Sequence, residues 1–226
     1  MTSPPRSASS RSRTRLTPEV RSEKILESAL AEFSRQGFIA TRIEDIARGA
    51  GLAKSGFYGH FRSKEEVFET LLTRLMVSGE VIAFAETDTV VDFVDRFIDF
   101  CYTHLLDTRR QAVLRLLLVE MHRIPALIQQ WRREVADPLL NAQVEVLHAA
   151  VARGQLADGP ILKNFRLAYA PVLYWVLANR PQAQDDAPTL GDLDTHRQIH
   201  RQMMLGLLCE PAATKGTTCS RSGSSS

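Results

Sequence analysis

The sequence predicts an all-α protein, with a small head built around a helix-turn-helix and a larger helical body behind it. Three observations predict it. Between Thr41 and Phe68 two short helical segments meet at a glycine, and a third begins just afterwards. From Phe93 to Leu208 apolar residues recur at the i, i+3, i+4 spacing of helix faces. Helix-start signals mark the head: Thr17-Pro18-Glu19, Thr41 with Glu44, and Ser63 with Glu66.

The 226 residues allow one large domain or two small ones, and 44% hydrophobic content against 24% charged can bury a sizeable core. No run reaches the roughly 18 apolar residues of a membrane span, and the N-terminus lacks the apolar core of a signal peptide. A cytoplasmic protein without a membrane partner is expected. Cys101, Cys209 and Cys219 are too widely spaced for a disulfide framework or a zinc site.

In chain order, residues 1–16 are rich in Ser, Arg and Pro and read as a disordered basic tail. Thr17 is the expected N-cap of the first helix, Pro18 its first residue and Gly37 its C-cap. Ile25, Leu26, Ala29, Leu30 and Phe33 give it a buried stripe. Thr41 and Glu44 form the expected capping box of the second helix, whose Ile43, Ile46 and Ala47 share one face. Ala50-Gly51-Leu52 breaks that helix with a tight turn. The third segment, Lys54 to Phe61, buries Phe57 and Phe61 and leaves Lys54, Ser55, Tyr58 and His60 to point elsewhere. Ser63 and Glu66 start a longer helix through Met76.

The run Thr41, Ile46-Ala47, Ala50-Gly51-Leu52, Gly56-Phe57-Tyr58, His60-Phe61 and Ser63-Lys64-Glu65, with Phe33-Ser34-Arg35-Gln36-Gly37-Phe38 before it, carries a resemblance. It resembles the DNA-binding head of the tetracycline-repressor (TetR) family of bacterial transcription regulators, over about fifty residues without gaps. The resemblance implies that Thr41, Arg42, Lys54, Ser55, Gly56, Tyr58, His60 and Lys64 face DNA. Lys64 lies in the first turn of its helix, where its charge opposes the dipole and a nearby phosphate would offset it. Ala53 stands where the family often places Ser or Thr. Gly56 and Gly59 let the backbone approach DNA but offer no side chain, so base readout falls mainly on Lys54, Ser55 and Arg42. Charge distribution agrees: residues 1–62 hold 11 Lys/Arg against 6 Asp/Glu, and the rest hold 17 against 20. Arg6, Arg11, Arg13 and Arg15 suit a basic arm on DNA and equally a solvated tail.

The division expected is a tail at 1–16, a head at 17–63, a body at 64–209 with a connecting helix at 64–80, and a polar tail at 210–226. Phe93, Val94, Phe97, Ile98, Cys101 and Leu105 form the first stripe of the body. Residues 109–122 are apolar on nearly all sides, which predicts a central buried helix. Pro125 opens the next helix, and Asp137-Pro138 kinks or restarts it before Leu139–Val151. Arg153-Gly154 followed by Leu156 also recurs at this point in the family. Residues 160–180 and 189–209 read as the last two helices, separated by a polar loop at 182–188. In the family these two pair with their copies. That implies a homodimer interface at Phe165, Tyr169, Val172, Val176, His200, Met203, Met204 and Leu207, the alternative being closure of the monomer core.

Ligand-pocket candidates are the polar and aromatic groups set in apolar helices: Tyr102, Arg115, Glu120, His122, Trp131, Tyr174 and Trp175. Arg115 stands out, because a buried charge demands a partner, either an acidic ligand or an internal salt bridge. No glycine-rich phosphate loop, nucleophile elbow or HExxH is present, so no catalytic residue, cofactor or metal is expected. His196 and His200, four apart, suit polar contacts at a dimer rim better than a metal. The whole implies a homodimeric repressor on a palindromic operator in double-stranded DNA, released by a small-molecule effector. An activator, a partner-regulated adaptor of the same fold, or a helical enzyme with a DNA-docking head are the alternatives.

Overall fold

The computed structural model describes residues 17–77, 80–178 and 192–209. The two expected tails, the polar loop at 182–188 and Gly79 lie outside the described residues. Every regular element among those residues is helical, and none is long and apolar enough to cross a membrane. Two compact units divide between Phe68 and Glu69.

In the first unit α1 (Pro18–Gln36) starts where the Thr17 hydroxyl accepts from the Val20 N–H, and it ends at Gly37, whose φ of 82° suits a glycine. Its stripe of Ile25, Leu26, Ala29, Leu30 and Phe33 is buried as expected. α2 (Ile43–Gly49) begins one residue later than expected, with Arg42 at the N-cap and no side-chain cap. The Thr41–Glu44 capping box does not form, because the Thr41 hydroxyl turns inward to Gly37 O (2.8 Å) and Glu32 O (3.3 Å). α1 and α2 pack closely: Ser28 Oγ donates to Ile46 O at 2.8 Å, and a Cβ on Gly49 would overlap that same Oγ. Gly51 (φ 70°) makes the turn, and α3 (Lys54–Tyr58) follows. The helix stops short of the expected Phe61, though Phe57 and Phe61 are both buried. Phe33, Phe38 and Phe68 close the head with ring centroids 5.1–5.9 Å apart. At the start of α4 (Lys64–Met76), the Glu66 N–H donates to Ser63 Oγ, while the Glu66 carboxylate accepts from the Arg62 N–H at 2.6 Å.

The second unit is organised on α5 (Val90–Leu105), capped by a Thr89–Asp92 capping box, and α11 (Leu193–Leu208) beside it. Phe93, Val94, Phe97, Ile98 and Cys101 of α5 pack with Phe165, Ala168, Val172, Met204 and Leu208 in one core. Arg201 ties α11 to Asp95 of α5 through two hydrogen bonds, and Arg197 pairs with Asp99 one turn away. Before α5, the backbone of residues 82–88 is held by side chains from further along. Gln143 bonds both the N–H and the C=O of Ile82, Arg153 reaches Phe84 O, and Gln155 reaches Ala85 O and Glu86 O. Arg153, Gly154 (φ 73°) and Gln155 thus make one turn that clasps a loop.

Two expectations for the body need correction. α6 (Thr108–Glu120) is not wholly buried: Val113, Leu114, Leu116 and Glu120 face inward, while Val119 is 60% exposed, as is Met121 just beyond at 41%. The leucine-rich run spreads apolar residues around the helix without all of them finding cover. Residues 160–180 are also not one helix. They form α9 (Pro160–Lys163), a 3₁₀ turn (Phe165–Tyr169) and α10 (Ala170–Ala178). Asn164 breaks the first join at φ −150°, ψ 70°, and Pro171 has no N–H to extend an α-helical ladder back to Leu167. Proline acts likewise upstream, where α7 (Pro125–Trp131) passes through a π-helical turn (Arg132–Ala136) into α8 (Asp137–Ala152), with Pro138 in its first turn.

His196 and His200 zip α11 to the 3₁₀ turn and α10. Their Nε2 atoms lie 2.8 Å from Pro171 O and Ala168 O respectively, so both rings bond within the chain. Each Nε2 therefore carries the proton and donates. His200 is buried, and burial above all pushes its pKa below the ordinary 6.5, with His196 adding to the fall. The folded state thus holds His200 neutral while the unfolded chain protonates it near pH 6.5. Stability is full above that value and falls as pH drops from it towards the depressed folded value, at up to about 1.4 kcal/mol per pH unit. Urea unfolding between pH 7.5 and 5.5 should show this slope, and His200→Gln should flatten it.

Candidate nucleic-acid interface and the body sites

The turn at Gly51 sets α3 against α2, and the two helices present one exposed run: Arg42, Glu44, Lys54, Ser55 and Tyr58. Phe57 anchors α3 from inside, fully buried. Tyr58 packs its ring edge-on to Phe57 (5.6 Å) and leaves its hydroxyl at the surface. Lys54 reaches across the turn to Glu44, Nζ to Oε1 2.6 Å, with both side chains about half exposed. Hydrogen bonding within that pair raises the Lys54 pKa and lowers that of Glu44.

Arg42, Lys54, Ser55 and Tyr58 are thus brought together at the surface, with Gly56 and His60 half-buried beside them. Gly56 has a reason inside the protein as well: a Cβ there would press on Leu52 Cβ at 3.3 Å. Thr41 is 1% exposed with its hydroxyl spent on two carbonyls, so its side chain does not face outward. Lys64 is also committed inward. Its ammonium donates to Phe38 O (2.8 Å), Thr41 O (3.0 Å) and Ile39 O (3.1 Å) and sits 4.6 Å from the centre of the Phe38 ring. Carbonyls rather than a phosphate offset its charge at the start of α4. Sequence reasoning missed Ser28, Gly49 and Glu44. A glycine in the last turn of α2 signals a close approach, but no helical spacing links Glu44 to Lys54 across the turn.

The pocket candidates of the body sit in different surroundings. Tyr102 is buried, its hydroxyl has no hydrogen-bond partner among the described residues, and burial pushes its pKa up to about 12. Its ring lies 6.3 Å from His196, which in turn lies 5.0 Å from Trp175. Arg115 donates from Nη2 to Gln111 Oε1 (3.1 Å) and to Val176 O (3.2 Å). Glu120 is fully buried, with Arg123 at 3.7 Å. Trp131 donates its indole N–H to Thr73 Oγ1 of α4 (3.2 Å). His122 and Tyr174 point to solvent. No cluster of three His, Cys, Asp or Glu able to hold a metal occurs among the described residues.

The expected interface set also divides. Phe165, Val172, Val176, His200 and Met204 are at most 1% exposed, and Tyr169 packs against Phe97 at 5.2 Å, so these six belong to the chain's own packing. Met203 and Leu207 point outward, together with Leu167, Tyr174, Leu177 and Ile199, which the sequence reading did not select.

Residues 25–71 match the family profile of bacterial regulatory proteins, tetR family, and residues 101–190 match the tetracyclin repressor-like C-terminal domain. Together these matches cover more than half of the chain. The chain belongs to the TetR family. Among curated members, it is 31% identical to the HTH-type transcriptional repressor SCO4008 of Streptomyces coelicolor over 103 residues, 46% of this chain and 50% of that one. It is 47% identical to the repressor KstR2 of Mycobacterium tuberculosis over 49 residues, 22% of this chain and 24% of that one. The matches thus span half the length of the first relative and about a quarter of the second. Solved structures of the family share the fold along most of the chain. NalD of Pseudomonas aeruginosa aligns with a TM-score of 0.66 at 19% identity, covering 86% of this chain and all of that one. GusR of Salmonella enterica aligns with a TM-score of 0.63 at 22% identity, covering 85% and 97%.

Within this TetR-family head, the Lys64 geometry gives a direct test. Lys64→Met keeps the stem over Phe38 and removes the ammonium from three carbonyls. Denaturant unfolding of the protein without DNA should show a loss of about 1–3 kcal/mol. An unchanged unfolding midpoint would return Lys64 to the role of a surface cation.

Proposed function

We propose that the protein is a homodimeric, DNA-binding transcriptional repressor of the cytoplasm, released from its operator by a small molecule bound in the body. It acts as a regulator and not as an enzyme. The observation that carries the reading is the surface of α2 and α3. A rigid pair of helices presents Arg42, Lys54, Ser55 and Tyr58 on one exposed face, in a unit that matches the TetR head. Lysine and arginine there suit phosphate and guanine, and a serine hydroxyl suits either. NalD is described as a secondary repressor of a multidrug efflux pump, and SCO4008 and KstR2 as transcriptional repressors. Those descriptions support repression here.

The dimer reading rests on α10 and α11. Tyr174 (57% exposed), Ile199 (51%), Met203 (49%) and Leu177 (44%) form an outward apolar surface on two adjoining helices. A second copy of the same pair would cover it, as the symmetry of an isologous dimer requires. Two heads would then address half-sites about 34 Å apart, one turn of DNA. For the effector, the aromatic group of Tyr102, His196 and Trp175 and the buried polar groups of α6 are the favoured lining.

A mobility shift on the DNA upstream of the gene, over a salt series, tests the function. Specific binding that weakens steeply with salt is the expected result. If neither that DNA nor any sequence from a random library is retained, the regulator reading fails. Sedimentation tests the interface. Met203→Glu and Ile199→Glu should give monomers with operator affinity lowered at least ten-fold, whereas Met204→Ala should cost about 2–4 kcal/mol of stability and leave the assembly intact.

A further inference from the structure

The exposed run on α2 and α3 carries an acid that a DNA-binding surface has no evident use for. Glu44 sits half exposed between Arg42 and Lys54, and its carboxylate holds the Lys54 ammonium at 2.6 Å. The neighbouring acid, Asp45, is already paired within its own helix, to Arg48 at 2.6 Å. Gly56 and Gly59 bring no side chain to α3, and Thr41 and Lys64 are committed inward. Lys54 is therefore the long cation that α3 itself can offer to a base edge, and it is presented already neutralised.

Resting on the DNA-binding reading, we propose that Glu44 is a specificity-determining residue, an internal competitor that keeps Lys54 off phosphates and yields it only to a strong base-edge acceptor such as guanine O6 and N7. Magnitudes make the exchange workable. An exposed pair is worth only a few-fold in equilibrium, so it does not lock the lysine. It is still enough to compete with a single, well-hydrated phosphate contact. Guanine offers two acceptors in one plane, a better site than one carboxylate oxygen. On random DNA the pair stays closed, and Lys54 releases no counterion. On the operator it opens. Specificity is a difference of affinities, and here it comes from lowering the wrong one.

The test uses the full-length protein and three variants, Glu44→Gln, Lys54→Ala and the double variant. Both substituted positions lie at the surface, so circular dichroism should be unchanged. Affinity is read by fluorescence anisotropy over a salt series, on a random-sequence duplex and on an operator selected with the wild-type protein. Glu44→Gln should tighten random-duplex binding about two- to five-fold. It should also steepen the salt dependence by about 0.9 in log–log slope for each lysine recruited. Operator affinity should rise less, so the specificity ratio falls. In the Lys54→Ala background the same change should do nothing on the random duplex. Equal tightening in both backgrounds would mean that Glu44 merely repels phosphate and would overturn the proposal, as would no tightening at all. Wild-type protein that binds neither duplex overturns the DNA-binding reading itself, and this inference with it.

Discussion

The head depends on how the chain between α1 and α2 is satisfied. Gly37 ends α1 with a positive φ, and residues 38–41 follow as a turn whose carbonyls belong to no helix ladder. Buried backbone oxygens without partners are costly, and two side chains answer for this turn. Lys64, from the first turn of α4, donates to the carbonyls of Phe38, Ile39 and Thr41, and the Thr41 hydroxyl donates to Gly37 O and Glu32 O. The turn fixes where α2 begins, α2 fixes the turn at Gly51, and that turn fixes α3. The orientation of the outward side chains thus traces back to one ammonium group.

The close approach of α1 and α2 works in the same direction. With Ser28 Oγ bonded to Ile46 O and no room for a Cβ at Gly49, the two helices have one packing distance. α3 is only five residues long and has no side-chain cap. By itself it would not be stable. Its order is borrowed from Phe57, buried beneath it, and from the fixed geometry of α2.

The fold class and helix order were legible because helical period, proline and glycine are local signals, and here they agree. The α1 stripe, the break at Gly51 and the apolar stripe of α5 follow directly from them. What stayed hidden is relational. Thr41 reads locally as a cap, and only the position of α1 shows that its hydroxyl has nearer carbonyls. Lys64 reads as a cation opposed to a helix dipole until the turn 26 residues earlier is seen to surround it. In the body, periodicity finds the faces of α10 and α11 but cannot say which one looks inward. The resemblance put Phe165, Val172 and Met204 at an interface between copies, with closure of the monomer core as the alternative, and the structure packs them around Phe93 and Phe97. The resemblance supplied the roles of the α2 and α3 residues. It could not show that Lys54 is held by Glu44, since a pairing across a turn has no fixed spacing.

The histidines bear on why the outer face of α10 and α11 matters. A helix at the edge of a body ordinarily turns polar residues outward and apolar ones inward. α11 departs from that on both sides: His196 donates to a carbonyl of α10 and His200 to one of the 3₁₀ turn before it, while Ile199, Met203 and Leu207 look out. The inward histidines add side-chain donors where the backbone ladder is broken, to the carbonyls of Pro171 and Ala168. Together with the Asp95 and Asp99 pairs they fix α11 against α5 and against α10. The outward residues then form a stiff apolar plate rather than a loose set of side chains. A stiff plate loses little further freedom on being covered, which lowers the entropic cost of association. That is the property the proposed isologous interface needs.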